Sequence, residues 1–265
     1  MMRPLSLSVV TICRNAAPTI RRTIDSVLSQ NIAGLEYIVV DGGSTDGTVE
    51  VLQSYGPAIT HWISEADQGI SDAFNKGIAL CHAPWIGSVN ADDWYETGAL
   101  AHVLEAAGDA EVFCGRMRYW EGDKPGVVFG VNPPRLPYEM SVNHQATFAR
   151  KSVYERLGGF KLHYKYAMDY ELFLRFYQGG ARFATTDRVL AHMAWRGVSH
   201  RQWRGSLAES RRAKIDNGIP SARAWTEWFF IFAKNRARAA LEALGARGLV
   251  AELRRRFGSI KKADR

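Results

Sequence analysis

The first ninety residues alternate between short apolar runs and longer amphipathic ones, and that alternation leaves few folds open. Leu7-Ser8-Val9-Val10-Thr11-Ile12 is β-branched and apolar, the composition of a strand buried on both faces. Pro18 opens a helix, where the first N–H needs no partner. Ile20, Ile24, Val27 and Leu28 then recur at helical spacing down to Gln30. Glu36-Tyr37-Ile38-Val39-Val40 predicts a second strand, Ile59 to Ile63 a third and Trp85 to Val89 a fourth. Ile70, Phe74 and Ile78 mark one face of the helix between the last two. Strand and helix in turn, with short connections, predict a parallel sheet of right-handed crossovers.

Beyond Leu100, Val103, Leu104 and Ala107, which predict a fourth helix, the pattern changes. Glu111 to Cys114, Met117 to Trp120 and Val127 to Val131 are short extended pieces set apart by Gly, Asp and Pro, so the sheet continues in mixed or antiparallel form. Pro133-Pro134 and Pro137 mark a loop, and Asn143 to Phe148 predicts a strand. Lys151 to Leu157 and Tyr170 to Tyr177 predict short helices, each stopped by a Gly-Gly pair. Arg182 to Trp195 reads as extended and Ser199 to Arg212 as helical, with no internal repeat or low-complexity tract.

The charge is unevenly placed. The chain of 265 residues carries a net +7, and Arg223 onward holds eleven Lys/Arg against four Asp/Glu, which accounts for all of it. Residues 1–222 are therefore formally neutral, which argues against nucleic acid as a partner. Cys13, Cys81 and Cys114 cannot all pair and lack C-x-x-C spacing; reduced, buried thiols in a cytoplasmic protein are expected. Met1 to Ser8 is too short and too soon polar for a signal peptide. No apolar run reaches the ~20 residues of a membrane span.

The chemistry concentrates where strands end. Trp85 to Val89 opens into Asn90-Ala91-Asp92-Asp93, and ligands in open α/β sheets sit beyond the carboxyl ends of strands. Paired carboxylates there suit a hard divalent cation shared with substrate phosphates; the alternative is an Asx turn starting the helix near Thr97. Asp41 ends the second strand and leads into Gly42-Gly43-Ser44-Thr45-Asp46-Gly47-Thr48, where it either accepts from a base or ribose or bonds its own backbone. There is neither a G-x-G-x-x-G nor a G-x-x-x-x-G-K-[ST] motif, so a Rossmann dinucleotide site and a P-loop both lack support.

Taken together, these residues resemble family-2 glycosyltransferases of the GT-A fold, an α/β/α sandwich on a mixed sheet. The matching stretches are Ser8 to Asn15, Val39 to Thr48, Ser64 to Gly77, Asn90 to Asp93, His144-Gln145, Gly158-Gly159-Phe160 and Met168 to Leu172. They cover about residues 6–200 in the family's order. The resemblance implies inverting transfer of a sugar from a nucleotide-diphosphate sugar, with Mn²⁺ or Mg²⁺ on the diphosphate. It implies that Thr11 and Arg14 line the nucleotide pocket, that Asp41 reads the base, and that Asp67 and the segment to Lys76 approach ribose or phosphate. Asp92 takes the place of the metal-binding Asp of D-x-D, with Asp93 beside it and Asn90-Ala91 before it. Asp169 takes the place of the base that deprotonates the acceptor hydroxyl, or else it caps the helix before Tyr170. His144 and Glu171 are candidate acceptor contacts, and His192 and His200 candidate metal ligands.

Three positions depart from the family pattern. Asn90 replaces the first Asp of D-x-D, Phe74 stands where many relatives carry Arg, and Met168 replaces an acidic residue. They motivate an alternative, a non-catalytic nucleotide-sugar-binding or scaffold protein with a degraded site. A sugar hydroxyl needs a carboxylate to take its proton, and an inverting transfer needs only one such base.

The expected organisation is a catalytic domain over 1–222, with a donor half to about 95 and an acceptor half from about 96, followed by a basic helical tail over 223–265. In the tail, Trp225, Trp228, Phe229 and Phe232 share one helical face, and Leu249, Val250, Leu253 and Phe257 repeat the spacing. Arg254-Arg255-Arg256, Lys261 and Lys262 supply positive charge. Such helices either lie on an anionic membrane surface, close to a lipid-linked glycan acceptor at the inner face of the cell membrane, or pack on the catalytic domain or a second subunit of a homo-oligomer.

Overall fold

The computed structural model describes residues 4–194 and 202–243. Its spine is one mixed β-sheet. β1 (Leu7–Cys13), β2 (Leu35–Asp41), β3 (His61–Ser64) and β4 (Trp85–Asn90) run parallel, in the order β3-β2-β1-β4. They are joined through α1 (Ile20–Leu28), α2 (Thr48–Ser54) and α3 (Ile70–Ala79). β3 starts two residues later than its apolar run suggests, because Gly56–Ala58 forms a 3₁₀ turn before it.

Beyond β4 the sheet continues with β8 (Thr147–Arg150), β6 (Val112–Glu121), β9 (Phe183–Ala194) and β5 (Trp94–Tyr95), while β7 (Lys124–Phe129) forms a hairpin with β6. β8 is antiparallel to both β4 and β6, and β6 runs parallel to β9. The two extended pieces expected between Glu111 and Trp120 are one strand whose register shifts near Arg116. The strand expected from Asn143 starts only at Thr147. His144–Ala146 is a 3₁₀ turn, held because Thr147 Oγ1 donates to Asn143 O (2.7 Å) and Asn143 Nδ2 to Gly115 O (3.1 Å). Local side-chain bonds of this kind compete with the ladder.

Helices cover both faces. On one, Ile20, Ile24 and Val27 of α1, Leu52 of α2, and Leu100 and Val103 of α4 (Ala99–Ala106) pack against Val9, Tyr37, Val39 and Val89. On the other, Phe74 of α3, Val153 of α5 (Lys151–Leu157) and Leu172, Phe173 and Phe176 of α6 (Met168–Gln178) pack against Val10, Ile38 and Val40. α7 (Trp203–Asp216) adds Ala213 to this second layer. Successive residues of β1 and β2 thus enter opposite cores, which is why both strands read as unbroken apolar runs. Ile70, expected on the buried face of α3, is exposed; Ala73, Phe74 and Gly77 form that face. The three cysteines are buried and free. α8 (Ser221–Ala243) packs on α7, and no described helix is long and apolar enough to cross a membrane.

Candidate active site

The parallel register lines up the carboxyl ends of four strands: Cys13 pairs with Asp41, Asp41 with Ser64, and Ile12 with Asn90. The loops after β1 to β4 therefore share one edge, and polar bonds stitch them together. Asn15 N–H donates to Ser44 Oγ (2.7 Å), Thr45 N–H to Asn15 Oδ1 (2.9 Å) and Ala16 N–H to Thr48 Oγ1 (2.8 Å). Gly42 lies against Arg14 and Asp67, where any Cβ would collide with the Asp67 carboxylate. Arg14 is exposed on this edge, and Asp67 folds its Oδ1 onto Gly69 N–H (2.8 Å).

Asp41 is buried. Burial alone would raise its carboxyl, but hydrogen bonds from Ser44, Ser64 and Cys13 outweigh this and hold it below the usual range. Ser44 Oγ and Cys13 Sγ address Oδ1; Ser44 N–H (2.9 Å) and Ser64 Oγ (2.6 Å) address Oδ2. A carboxylate has about four lone-pair sites, so reading a base would require displacing one of these donors. Thr11, expected to line the pocket, is fully buried, and its hydroxyl bonds Tyr37 OH (3.0 Å). Lys76, expected to reach phosphate, spends its ammonium on Glu65 (2.7 Å), Asp72 (3.4 Å) and Ala66 O (3.1 Å), which fastens the 64–72 loop.

The two adjacent carboxylates have opposite surroundings. Asp93 is buried: its Oδ1 accepts from Ala194 N–H (3.1 Å), and its Oδ2 from Gln145 Nε2 (2.7 Å) and Asn90 Nδ2 (3.4 Å). Burial first, then the neighbouring Asp92 charge, raise its carboxyl to about 7. Asp93 thus ties the loop to β9 and to the turn before β8. The Asp92 carboxylate has no hydrogen-bond or ion-pair partner among the described residues, and Ala91 is buried beneath it. The loop's backbone is fixed by α1: Arg22 Nη2 donates to Asp92 O (2.9 Å) and Thr23 Oγ1 to Asp93 O (2.7 Å).

Asp169 lies in the first turn of α6. Its Oδ1 accepts Tyr170 N–H (2.7 Å), and burial raises its carboxyl against that bond. Burial first, then the charges of Asp93 and Asp169, push the Tyr119 hydroxyl up to about 12. The N-terminal cap of α6 is Ala167 and not Asp169. Glu171 turns into the protein: it is fully buried and paired with Lys161 (2.7 Å) and Arg175 (2.9 Å), which braces the helix against the segment before it.

Residues 8–157 match the family model described as Glycosyl transferase family 2. The chain belongs to that family. It is 28% identical over 182 residues to the PGL/p-HBAD biosynthesis glycosyltransferase of Mycobacterium bovis (strain BCG / Pasteur 1173P2), covering 66% of this chain and 70% of the relative. To a chondroitin synthase of Escherichia coli it is 29% identical over 177 residues, 63% of this chain but 26% of that protein. Among solved structures, the mannosyltransferase of Pyrobaculum calidifontis in complex with GDP-Man and Mn²⁺ superposes with a TM-score of 0.64 at 19% identity, over 97% of this chain and 84% of that one. S. aureus TarS in complex with UDP-GlcNAc gives a TM-score of 0.67 at 16% identity, over 84% and 70% of the two chains. These two likenesses establish the GT-A type of fold.

The remaining candidates in this glycosyltransferase have defined places. His144 bonds Ser88 Oγ through Nε2 (2.9 Å) and packs among Phe74, Phe160 and Phe173; desolvation lowers it to about 4, so it is neutral. Phe74 is buried and stacked on Phe160 (4.9 Å), which explains how the position tolerates an apolar ring. His192 uses both nitrogens, accepting from Trp120 Nε1 at Nδ1 (2.9 Å) and meeting Glu96 at Nε2 (3.0 Å), so neither is left for a cation. His200 lies outside the described residues.

One residue with a clear role carried no sequence signal. Glu209 of α7 accepts the backbone N–H groups of Lys165 (3.0 Å), Tyr166 (2.7 Å) and Ala167 (2.9 Å), and so fixes the start of the helix that carries Asp169.

Proposed function

We propose that this glycosyltransferase transfers a sugar from a nucleotide-diphosphate donor to a hydroxyl of a glycan or lipid-linked acceptor, with inversion at the anomeric carbon. The observation that carries the reading is Asp169 at the start of α6: its carboxylate is half-buried, raised by that burial, and hydrogen-bonded at Oδ1 alone among the described residues. A carboxylate raised in this way is a better base than one with its ordinary value.

The donor set fits a hard divalent cation. Asp92 offers an uncommitted carboxylate, and Asn90, whose amide nitrogen is turned to Asp93, offers a carbonyl oxygen. One or two oxygen ligands plus substrate phosphates are what Mg²⁺ or Mn²⁺ usually takes. Bound there, the ion would supply charge compensation for the diphosphate leaving group. Arg14 is the exposed cation placed to approach the phosphates, since Phe74 is buried and Lys76 is engaged. Gly42, lacking a Cβ, lets the Asp67 carboxylate pack against the loop beside Arg14. The relatives' complexes with GDP-Man and UDP-GlcNAc support a nucleotide sugar as donor without choosing the base.

Asp169→Asn keeps the shape and cannot take the proton. It should lower kcat on the order of 10²–10⁴-fold with donor affinity nearly unchanged. Retained turnover in that variant removes Asp169 from the reaction.

Residues 223–265 form, in this reading, a basic membrane-contacting appendage on a catalytic domain of 1–222. The expected aromatic stripe divides. Trp228 and Phe232 stack on each other (4.9 Å), and Phe232 meets Trp203 of α7 (5.8 Å). Trp225, Phe229 and Phe230 are exposed, the last two by 66% and 71%. The second stripe, from Leu249 to Phe257, lies outside the described residues. Aromatic rings beside an excess of Lys and Arg suit an anionic interface. The full-length protein should co-float with anionic vesicles at low salt and the Phe229→Glu/Phe230→Glu variant should not; equal flotation refutes the contact, and a change in oligomer size instead makes the face a subunit interface.

A further inference from the structure

We propose that Glu36, His61 and His82 form a binding site for a zinc-class divalent cation at the edge of the sheet opposite the candidate active site. One carboxylate oxygen and one nitrogen from each imidazole lie within 4.8 Å of one another. They come from three separate elements: Glu36 near the start of β2, His61 as the first residue of β3, and His82 in the turn between α3 and β4. The parallel register brings these starts together, since Ser8 of β1 pairs with Glu36 and with Ile86, and His61 pairs with Ile38. From Glu36 to Asp41 is five residues along β2, about 17 Å of strand, so this cluster is separate from the Asn90–Asp93 loop.

The carboxylate is held ready. Glu36 is 2% exposed, and its Oε2 is fixed by Ser8 Oγ (2.5 Å) and His82 N–H (2.7 Å). Its Oε1 is turned to His82 Nδ1 (2.7 Å), on the side where the His61 and His82 rings stand 6.3 Å apart. Both imidazoles are exposed and retain rotamer freedom. Tetrahedral metal–nitrogen bonds of about 2.0–2.1 Å place ligand atoms roughly 3.3 Å apart, a closure that side-chain rotation supplies.

The donor set selects the ion. Two imidazoles and one carboxylate, with water in the fourth position, suit Zn²⁺ and its neighbours, whereas Mg²⁺ and Mn²⁺ prefer an all-oxygen set. The occupant would pin the starts of β2, β3 and β4 to one another, and binding only the folded state would stabilise the chain by mass action.

The test uses the full, untagged chain with Zn²⁺, Co²⁺ and Mg²⁺ as probes. In an Asp92→Ala background, which removes the other candidate cation site, Zn²⁺ should raise the melting temperature, Co²⁺ should give visible d–d bands, and Mg²⁺ should do neither. His61→Ala and His82→Ala should each weaken Zn²⁺ at least about tenfold by calorimetry. His61 is exposed at a strand start, so its variant keeps the test readable if His82→Ala disturbs the Glu36 bond. An absent Co²⁺ spectrum, or unchanged Zn²⁺ affinity in His61→Ala, overturns the site.

Discussion

The donor-side edge and the start of α6, the two parts of the proposed site, are built by different means. At the donor edge, loops after β1 and β2 hold each other through their own Asn, Ser and Thr side chains, with Asp41 fastening both to β3 through Ser64. At α6, the residue bearing the expected base makes no such local frame. Its helix is held by packing on its neighbours: Glu209 of α7 reaches across the N-terminus, and the helix's own Arg175 donates to the carbonyls of Leu157, Gly158 and Gly159. In the proposed reading, placement of the donor is therefore a property of loop sequence, and placement of Asp169 is a property of helix packing.

Three perturbations sharpen or break that contrast. The largest belongs to Asp92. Asp92→Ala, or chelation of divalent cations, should lower turnover on the order of 10²–10³-fold and weaken donor binding, while leaving the melting temperature near that of the parent in the absence of metal. Retention of metal-dependent activity in the variant would move the cation elsewhere. Next comes Glu209→Ala, which strips three backbone donors of one acceptor. It should cost about 1–2 kcal/mol in chemical denaturation and lower kcat roughly tenfold, with the donor KM unchanged. If the donor KM rises as much as kcat falls, the two parts are not independently built.

The smallest effect concerns His144, packed where the two parts meet. Its folded pKa, about 4, is below the unfolded value of about 6.5. Between these values the unfolded chain binds the extra proton, so the group contributes nothing above pH 6.5 and a growing penalty as pH falls toward 4. His144→Gln, which keeps a partner for Ser88, should flatten the fall in melting temperature across that window and change little at pH 8. Parallel curves for the two proteins would show that His144 titrates alike in both states.

The donor half was legible because its physics is local. β-branched runs declared β1, β2 and β4, and turn residues declared the loops; the helix periodicity of α1 and α4 agrees with the faces they bury. Asp92 and Asp93 defeat that kind of reading. They are adjacent and identical in type, and what separates them is Gln145 and the Ala194 N–H, which arrive from more than fifty residues away. Thr11, Lys76, Glu171 and His192 are each engaged by partners inside the protein that the sequence order does not reveal. The turn at His144–Ala146 was missed because Asn143 and Thr147 close it with side-chain bonds, which apolar patterning does not register.

The carboxylate of Glu209 gives the chain an inheritance rule. The stretch that matches the family ends at 157, before α6 begins, and the clasp on α6 comes from α7. A graft that carries the donor loops and stops at the family boundary would import recognition without its base. One that reaches Gln178 would import the base on an unheld helix. Only a segment running through Asp216 moves the chemistry as a unit, so chimaeras and natural recombinants in this lineage should have their viable breakpoints on either side of 160–216, and not within it.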